Sequence, residues 1–248
     1  PIVVWNVTPR CNLSCSHCYA SNHAGADRVL DGDEARAVID DLAGWGVPVL
    51  LFSGGEPFCR EDIRELSEYA KSRGLRVTFS TNGTLIDDDA ADWLASFGTG
   101  YVGISIDGTE KVHDDFRRKA GAYASSLAAV RRLVSRGVKV GLRVTMTRRN
   151  VAAIPSIFGL MRAEGVPRVC FYHLVYTGRG NSLIADDLAP DERCEKGLSR
   201  TFPTGRFRQN WSGNTVPAFG QRGGCMRRRE CRVRGGKRIS WYTIHGDS

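Results

Sequence analysis

One repeated unit constrains this chain more than any other feature. Over the first 175 residues a short β-branched run is followed, about every thirty residues, by a stretch of helical length. The runs Ile2–Trp5, Val47–Phe52, Arg76–Ser80, Tyr101–Ile106, Lys139–Thr145 and Arg168–Tyr172 read as buried strands. Between them, roughly Asp33–Gly46, Arg60–Gly74, Asp87–Gly98, Tyr123–Gly137 and Val151–Gly165 carry helical periodicity. Each of these stretches ends on glycine, the residue that most readily takes the left-handed turn past a helix. Asp33 and Asp87 stand where N-caps belong. Strands joined through helices need crossover connections, and hence a parallel sheet. The expected fold is α/β: a partial (β/α)6 TIM-like barrel, or an open doubly wound sheet, followed by an irregular C-terminal tail.

In both architectures ligands bind beyond the carboxyl ends of the strands. All six ends are polar or glycine-rich. A run with three cysteines follows the first strand, Ser53-Gly54-Gly55-Glu56-Pro57 the second, and Thr81-Asn82-Gly83 the third. The fourth ends in Ser105-Ile106-Asp107-Gly108, the fifth carries Arg143 and Thr145, and the sixth runs into His173 and on to Gly180.

The cysteines are Cys11, Cys15 and Cys18, spaced C-x3-C-x2-C in WNVTPRCNLSCSHCYA. Three thiolates on one short loop can converge on a metal centre but leave a fourth position unfilled. In a four-iron cluster, one iron held this way keeps an open coordination site, where chemistry can occur. The competing reading is a structural zinc site completed by His17 or His23. A disulfide framework fits poorly. Eight cysteines in 248 residues is a low density, and no secretory leader stands before the first strand. The chain begins at Pro1 directly on a strand, so a missing N-terminal segment is expected.

The remaining composition sets bounds. At 42% hydrophobic, 248 residues suffice for one full core. No apolar run approaches the ~18–20 residues of a membrane span, and a cytoplasmic location without a membrane partner is expected. The net charge of +8 is unevenly placed. Residues 194–248 hold 12 Lys+Arg and 3 Asp+Glu, net +9, leaving 35 − 12 = 23 basic and 27 − 3 = 24 acidic residues before them, net −1. The basicity therefore lies away from the motif-bearing part.

The cysteine triplet after the first strand and GGEP after the second, on a (β/α) repeat, resemble the radical S-adenosylmethionine (SAM) enzymes over roughly residues 1–180. The resemblance implies a [4Fe–4S] cluster on Cys11, Cys15 and Cys18, with SAM chelated to the unique iron. It implies one-electron cleavage of SAM to a 5′-deoxyadenosyl radical that abstracts a substrate hydrogen. Gly54 and Gly55 would let the backbone approach the methionine end of SAM, and Glu56 would accept from its ammonium group. Asn82, Ser105 and Asp107 fall where such enzymes place ribose and carboxylate contacts. Arg117 or Arg143 would pair the SAM carboxylate, and Tyr19 would pack near the adenine or the cluster. His173 faces the expected cavity as a proton donor or substrate contact. Cys59 and Cys170 read as core thiols, and His23 and His113 have no supporting context.

The phrases FSGGEPFCREDI, STNGTLID and GISIDG-x4-HDDFR resemble the branch containing peptide maturases and tetrapyrrole-modifying enzymes. FYHLVYTGRGN is closer to the haem-biosynthesis members. This implies a siroheme-derived tetrapyrrole substrate, either a didecarboxysiroheme losing acetates toward haem b or a haem d1 precursor, with a modified peptide as the other option. Arg179 would meet substrate carboxylates, and a ferredoxin or flavodoxin would supply electrons. The core is expected over residues 1–182 and a linker over 183–193. Residues 194–248 form a basic segment, poorly ordered or non-native, which a truncated or frame-shifted reading would explain. Cys194, Cys225 and Cys231 lack short ligand spacing, so an auxiliary cluster is in doubt. A non-enzymatic alternative is a zinc-bearing nucleic-acid-binding protein using Arg227–Arg229, with Phe202, Phe207 and Trp211 interleaved among basic residues.

Overall fold

A computed structural model of the protein describes residues 2–20, 29–186, 216–217, 225–232 and 238–245. The strand–helix repeat is realised as β1 (Ile2–Thr8), α1 (Gly32–Gly44), β2 (Val49–Gly54), α2 (Ile63–Ser72), β3 (Arg76–Thr81), α3 (Asp88–Phe97) and β4 (Val102–Ser105). It continues through α4 (Glu110–Arg117), α5 (Ala122–Ser135), β5 (Val140–Met146), α6 (Ile154–Ala163) and β6 (Val169–His173). The strands form one six-stranded sheet in chain order, β1 to β6. The pairs β1–β2, β2–β3, β3–β4 and β5–β6 are parallel. No helix among the described residues is long and apolar enough to cross a membrane.

The local signals mostly act as expected. Gly46, Gly74, Gly98, Gly137 and Gly165, the five glycines that close helical stretches, all take positive φ. Asp87 caps α3 by accepting from the Ala90 N–H at 2.9 Å. Asp33 does not cap α1. Asp31 does, in a reciprocal box with Glu34, because its carboxylate reaches the N–H groups of Asp33 and Glu34. Helix α4 has no counterpart in the sequence expectation; it is only eight residues long, too short for periodicity to reveal.

The chain divides into two compact units, taken here over their described residues. The first comprises Pro1–Ser14, Ala20–Ser105 and Ala124–Val140. Its core is a chain of aromatic rings, Trp5–Phe52–Phe79–Trp93–Phe97, at centroid separations of 5.3–6.0 Å. The second comprises Cys15–Tyr19, Ile106–Tyr123 and Gly141–Ser248. There Phe158 and Phe171 pack at 5.8 Å among Ile154, Ile157, Met161 and Leu142, all buried.

The expected linker begins inside ordered structure. A 3-10 segment spans Gly178–Asp186, Leu183 is buried, and Arg149 pairs with Asp186 at 2.6 Å. Beyond it, scattered apolar residues predict no regular element. The backbone nonetheless forms an antiparallel sheet of β7 (Val216–Pro217), β8 (Cys225–Arg232) and β9 (Arg238–His245). The β-branched and aromatic run Ile239–Ile244 accounts for β9. His23, Cys194, Phe202, Phe207 and Trp211 lie outside the described residues.

Candidate functional site

In the first unit, the turn after β2 is built against the residues that lead into Cys11. The N–H of Gly55 donates to the Thr8 carbonyl and that of Glu56 to the Arg10 carbonyl, both at 2.8 Å. A Cβ on Gly54 would overlap the Thr8 carbonyl, and one on Gly55 the carbonyls of Pro9 and Arg10. Gly54 also holds a φ of +130°, which only glycine adopts readily. Both glycines are therefore required by protein backbone rather than by a ligand alone. They line, with Trp5, Asn6, Thr8 and Leu30, a cavity of about 250 Å³.

Glu56 is 0% exposed. Its carboxylate accepts from the Thr81 hydroxyl and the Asn82 N–H, each at 2.7 Å, and from the Phe58 N–H at 3.2 Å. It buckles the turn after β2 to the end of β3. Asn82 extends this fastening toward the first cysteine. Its amide donates to Asn12 Oδ1 at 2.9 Å and stands 4.0 Å from Cys11 Sγ. Thr84 closes the ring by donating to Asn82 Oδ1 at 2.7 Å and accepting from Asn12 Nδ2 at 2.8 Å. The Leu13 N–H donates to Cys11 Sγ at 3.4 Å.

In the second unit the middle of the cysteine loop is held from two sides. Arg117, at the last turn of α4, places Nη1 3.5 Å from Cys15 Sγ and Nη2 2.6 Å from Asp107 Oδ2. Arg179 donates from Nε to the Cys15 carbonyl at 2.7 Å. The Ser16 N–H and hydroxyl both donate to the Phe116 carbonyl, at 2.8 and 3.2 Å. The His17 ring lies 5.2 Å from the Phe116 ring. A Cβ on Gly180 would overlap the Val175 carbonyl and approach that of His17 at 3.4 Å, so the turn after β6 sits close to the loop.

Asp107 is the hub of this cluster and is 0% exposed. Its Oδ1 accepts from the Thr145 N–H at 3.2 Å. Its Oδ2 lies 3.9 Å from both His17 Nε2 and His113 Nδ1. Its own N–H donates to His113 Nδ1 at 3.1 Å. Asn150 fastens the backbone by donating to the carbonyls of Asp107 and Thr145 at 2.9 and 2.7 Å. Burial opposes the charged carboxylate, but Arg117, the two histidines and the Thr145 N–H outweigh it and hold Asp107 below its ordinary pKa. Burial, joined by the Arg117 charge, lowers both histidines to about 4, so each is neutral near pH 7.

The expected cofactor contacts thus divide. Glu56, Asn82, Asp107 and Arg117 help to fasten the cysteine loop, and Arg179 donates to its backbone. Ser105 closes β4 and is half-buried. Arg143 on β5 stacks over Tyr172 of β6 at 4.3 Å from the ring centroid. His173 ends β6, paired in register with Met146. Tyr19 is 40% exposed, and Cys170 is buried. Cys59 is half-buried, its thiol pushed up by burial and by Glu56. His113, Thr145, Asn150, Asn12 and Thr84 are additions the sequence did not single out. His113 stands six residues past Asp107 within the already conspicuous SIDG-x4-HDDFR, and that spacing was its available signal.

The donor set fits an iron–sulfur cluster better than zinc. None of Cys11, Cys15 and Cys18 is in a disulfide. A structural zinc requires four ligands around one ion, whereas a four-iron cluster takes each thiolate on a different iron. N–H donors already face two of the sulfurs, as thiolates require.

Two outcomes follow from this geometry. The overlap at Gly55 falls on the backbone entering Cys11, so Gly55→Ala is expected to lower iron incorporation on anaerobic reconstitution; a full iron content would contradict the packing argument. Unfolded histidine titrates near 6.5 and folded His113 near 4, so between these values the unfolded chain binds the extra proton. Stability of the cluster-free protein is therefore lost as pH falls from about 6.5 toward 4, by on the order of 3 kcal/mol from this group. Urea unfolding across that range should show a shallower slope in His113→Asn, which keeps an acceptor for the Asp107 N–H. An unchanged slope would count against the buried neutral imidazole.

Comparison with known proteins identifies the family. The family profile of the Radical SAM superfamily matches residues 5–160. The Fe-coproporphyrin III synthase of Methanosarcina barkeri is 49% identical over 193 residues, covering 77% of this chain and 48% of that protein. The Pre-heme d1 synthase of Dinoroseobacter shibae is 43% identical over 191 residues, covering 75% of this chain and 46% of that one. The chain thus spans about half the length of these relatives. The solved structure of native anSMEcpe with bound AdoMet matches 82% of this chain and 59% of its own at a TM-score of 0.68 and 19% identity, a likeness of fold. With its cysteine loop braced from the ends of a (β/α)6 sheet, the chain belongs to the radical SAM superfamily.

Proposed function

We propose that this protein is a tetrapyrrole-modifying radical SAM enzyme that removes acetate side chains from 12,18-didecarboxysiroheme. The likeness to Fe-coproporphyrin III synthase carries this reading. An iron coproporphyrin bears methyl and propionate groups but no acetates, so making one from a siroheme-derived ring requires acetate loss. When bound on Cys11, Cys15 and Cys18, the cluster and SAM supply a one-electron bond cleavage that yields a hydrogen-abstracting radical.

The chain's own residues divide this work. Glu56, Asn82, Asp107, Arg117 and Arg179 hold the cysteine loop in shape before any cofactor arrives, so less ordering is left for the binding step. The glycine turn at Gly54 and Gly55 offers backbone carbonyls to an ammonium group. Ser105 and Arg143 are assigned as SAM contacts, and the Arg143 guanidinium, fixed against Tyr172, is a preorganised carboxylate partner. His173 is assigned to the substrate as a contact or proton donor. A small external donor of the ferredoxin or flavodoxin type delivers electrons. The zinc and nucleic-acid reading loses its basis with the family assignment.

The second reading, modification of a haem d1 precursor, is favoured by the likeness to Pre-heme d1 synthase. Incubation with 12,18-didecarboxysiroheme, SAM and dithionite, followed by mass spectrometry of the tetrapyrrole, separates the two. Loss of both acetates with release of 5′-deoxyadenosine is the expected result. Deoxyadenosine release with the tetrapyrrole mass unchanged would overturn the deacetylase reading.

A further inference from the structure

The buried pair Arg117–Asp107 has a polarity that matters for whatever Cys15 holds. Arg117 is 7% exposed and Asp107 0%. The guanidinium lies on the sulfur side, with Nη1 3.5 Å from Cys15 Sγ, and its Nη2 meets Asp107 at 2.6 Å. The positive end of the pair therefore faces the thiolate. The Arg117 Nε–H is buried and without an acceptor among the described residues.

We propose that Arg117 is a positioning residue that raises the reduction potential of the iron–sulfur cluster, and that Asp107 limits how far it does so. The proposal rests on the reading that Cys11, Cys15 and Cys18 hold the cluster. An N–H donor and a positive charge beside a thiolate stabilise the one-electron-reduced cluster, which carries one more negative charge than the oxidised form. Burial strengthens both effects, because little water screens them. The Asp107 carboxylate cancels part of the field.

This makes the signs of two single substitutions opposite. Arg117→Gln removes the charge and leaves Asp107 uncompensated, so the potential should become more negative. Asp107→Asn leaves the guanidinium charge uncancelled, so the potential should become more positive. Arg117→Lys keeps the charge without the planar fork and should fall between Arg117→Gln and the unaltered protein. A residue that only props the loop would move both variants the same way, or neither.

The test is an anaerobic redox titration of reconstituted protein with dithionite and mediators, read by the electron paramagnetic resonance of the reduced cluster. Iron and sulfide are counted first. If Cys15→Ala retains the full cluster signal, the ligand reading fails, and this is distinct from failure of the proposal. Opposite shifts in Arg117→Gln and Asp107→Asn support the proposal; equal potentials, or shifts of the same sign, overturn it. Should Arg117→Gln fail to fold by circular dichroism, Arg117→Lys and Asp107→Asn decide the matter. An unshifted lysine variant, or a negative shift in the asparagine variant, then overturns it.

Discussion

The second unit is organised around one buried ion pair. A carboxylate with no exposure is costly unless its charge is met and its oxygens hydrogen-bonded. Asp107 has its charge met by Arg117 at 2.6 Å and accepts a hydrogen bond from the Thr145 N–H. Removing one member of such a pair typically costs about 3–5 kcal/mol, because the other charge remains buried. The same guanidinium that answers Asp107 also reaches Cys15. Asp107, helix α4 and the second cysteine thus meet at a single side chain.

The first unit does the equivalent work through hydrogen bonds to a carboxylate. There Glu56 accepts three hydrogen bonds that tie the turn after β2 to the end of β3. Asn82, Asn12 and Thr84 carry the fastening to the neighbourhood of Cys11. Within each unit a buried carboxylate gathers strand-end N–H and hydroxyl groups, and the side chain beside it addresses a thiol. This gives a physical reason for polar residues at every strand end. They hold the loop's geometry as much as they meet a ligand.

The strand–helix repeat and its glycine stops were readable from the chain, because period and helix termination are local properties. The cysteine triplet was readable for the same reason. The duties of the other motif residues were not. Asp107 and Arg117 stand ten residues apart, and nothing in that spacing says that they meet each other rather than a cofactor. The bond from Arg179 to the Cys15 carbonyl joins positions 164 apart, and no local pattern announces it. His113 looked idle because its partner is a backbone N–H, which leaves no mark on composition. Asp31 displaced Asp33 as the α1 cap because two candidates stood within three residues, and only the backbone turn decides between them. Strand β9 coincides with the β-branched and aromatic run Ile239–Ile244, which stands among arginines and glycines.

These fastenings bear on the family's chemistry. A loop prearranged by buried polar groups would accept a cluster with little reorganisation. The central claim is a three-cysteine cluster with one such open iron. The most direct measurement is electron paramagnetic resonance of the reduced, reconstituted protein before and after SAM is added, with iron and sulfide counted on the same sample. About four irons and four sulfides per chain, and a signal that changes on SAM addition, are predicted. One zinc and no sulfide, or a four-iron signal indifferent to SAM, would contradict the account.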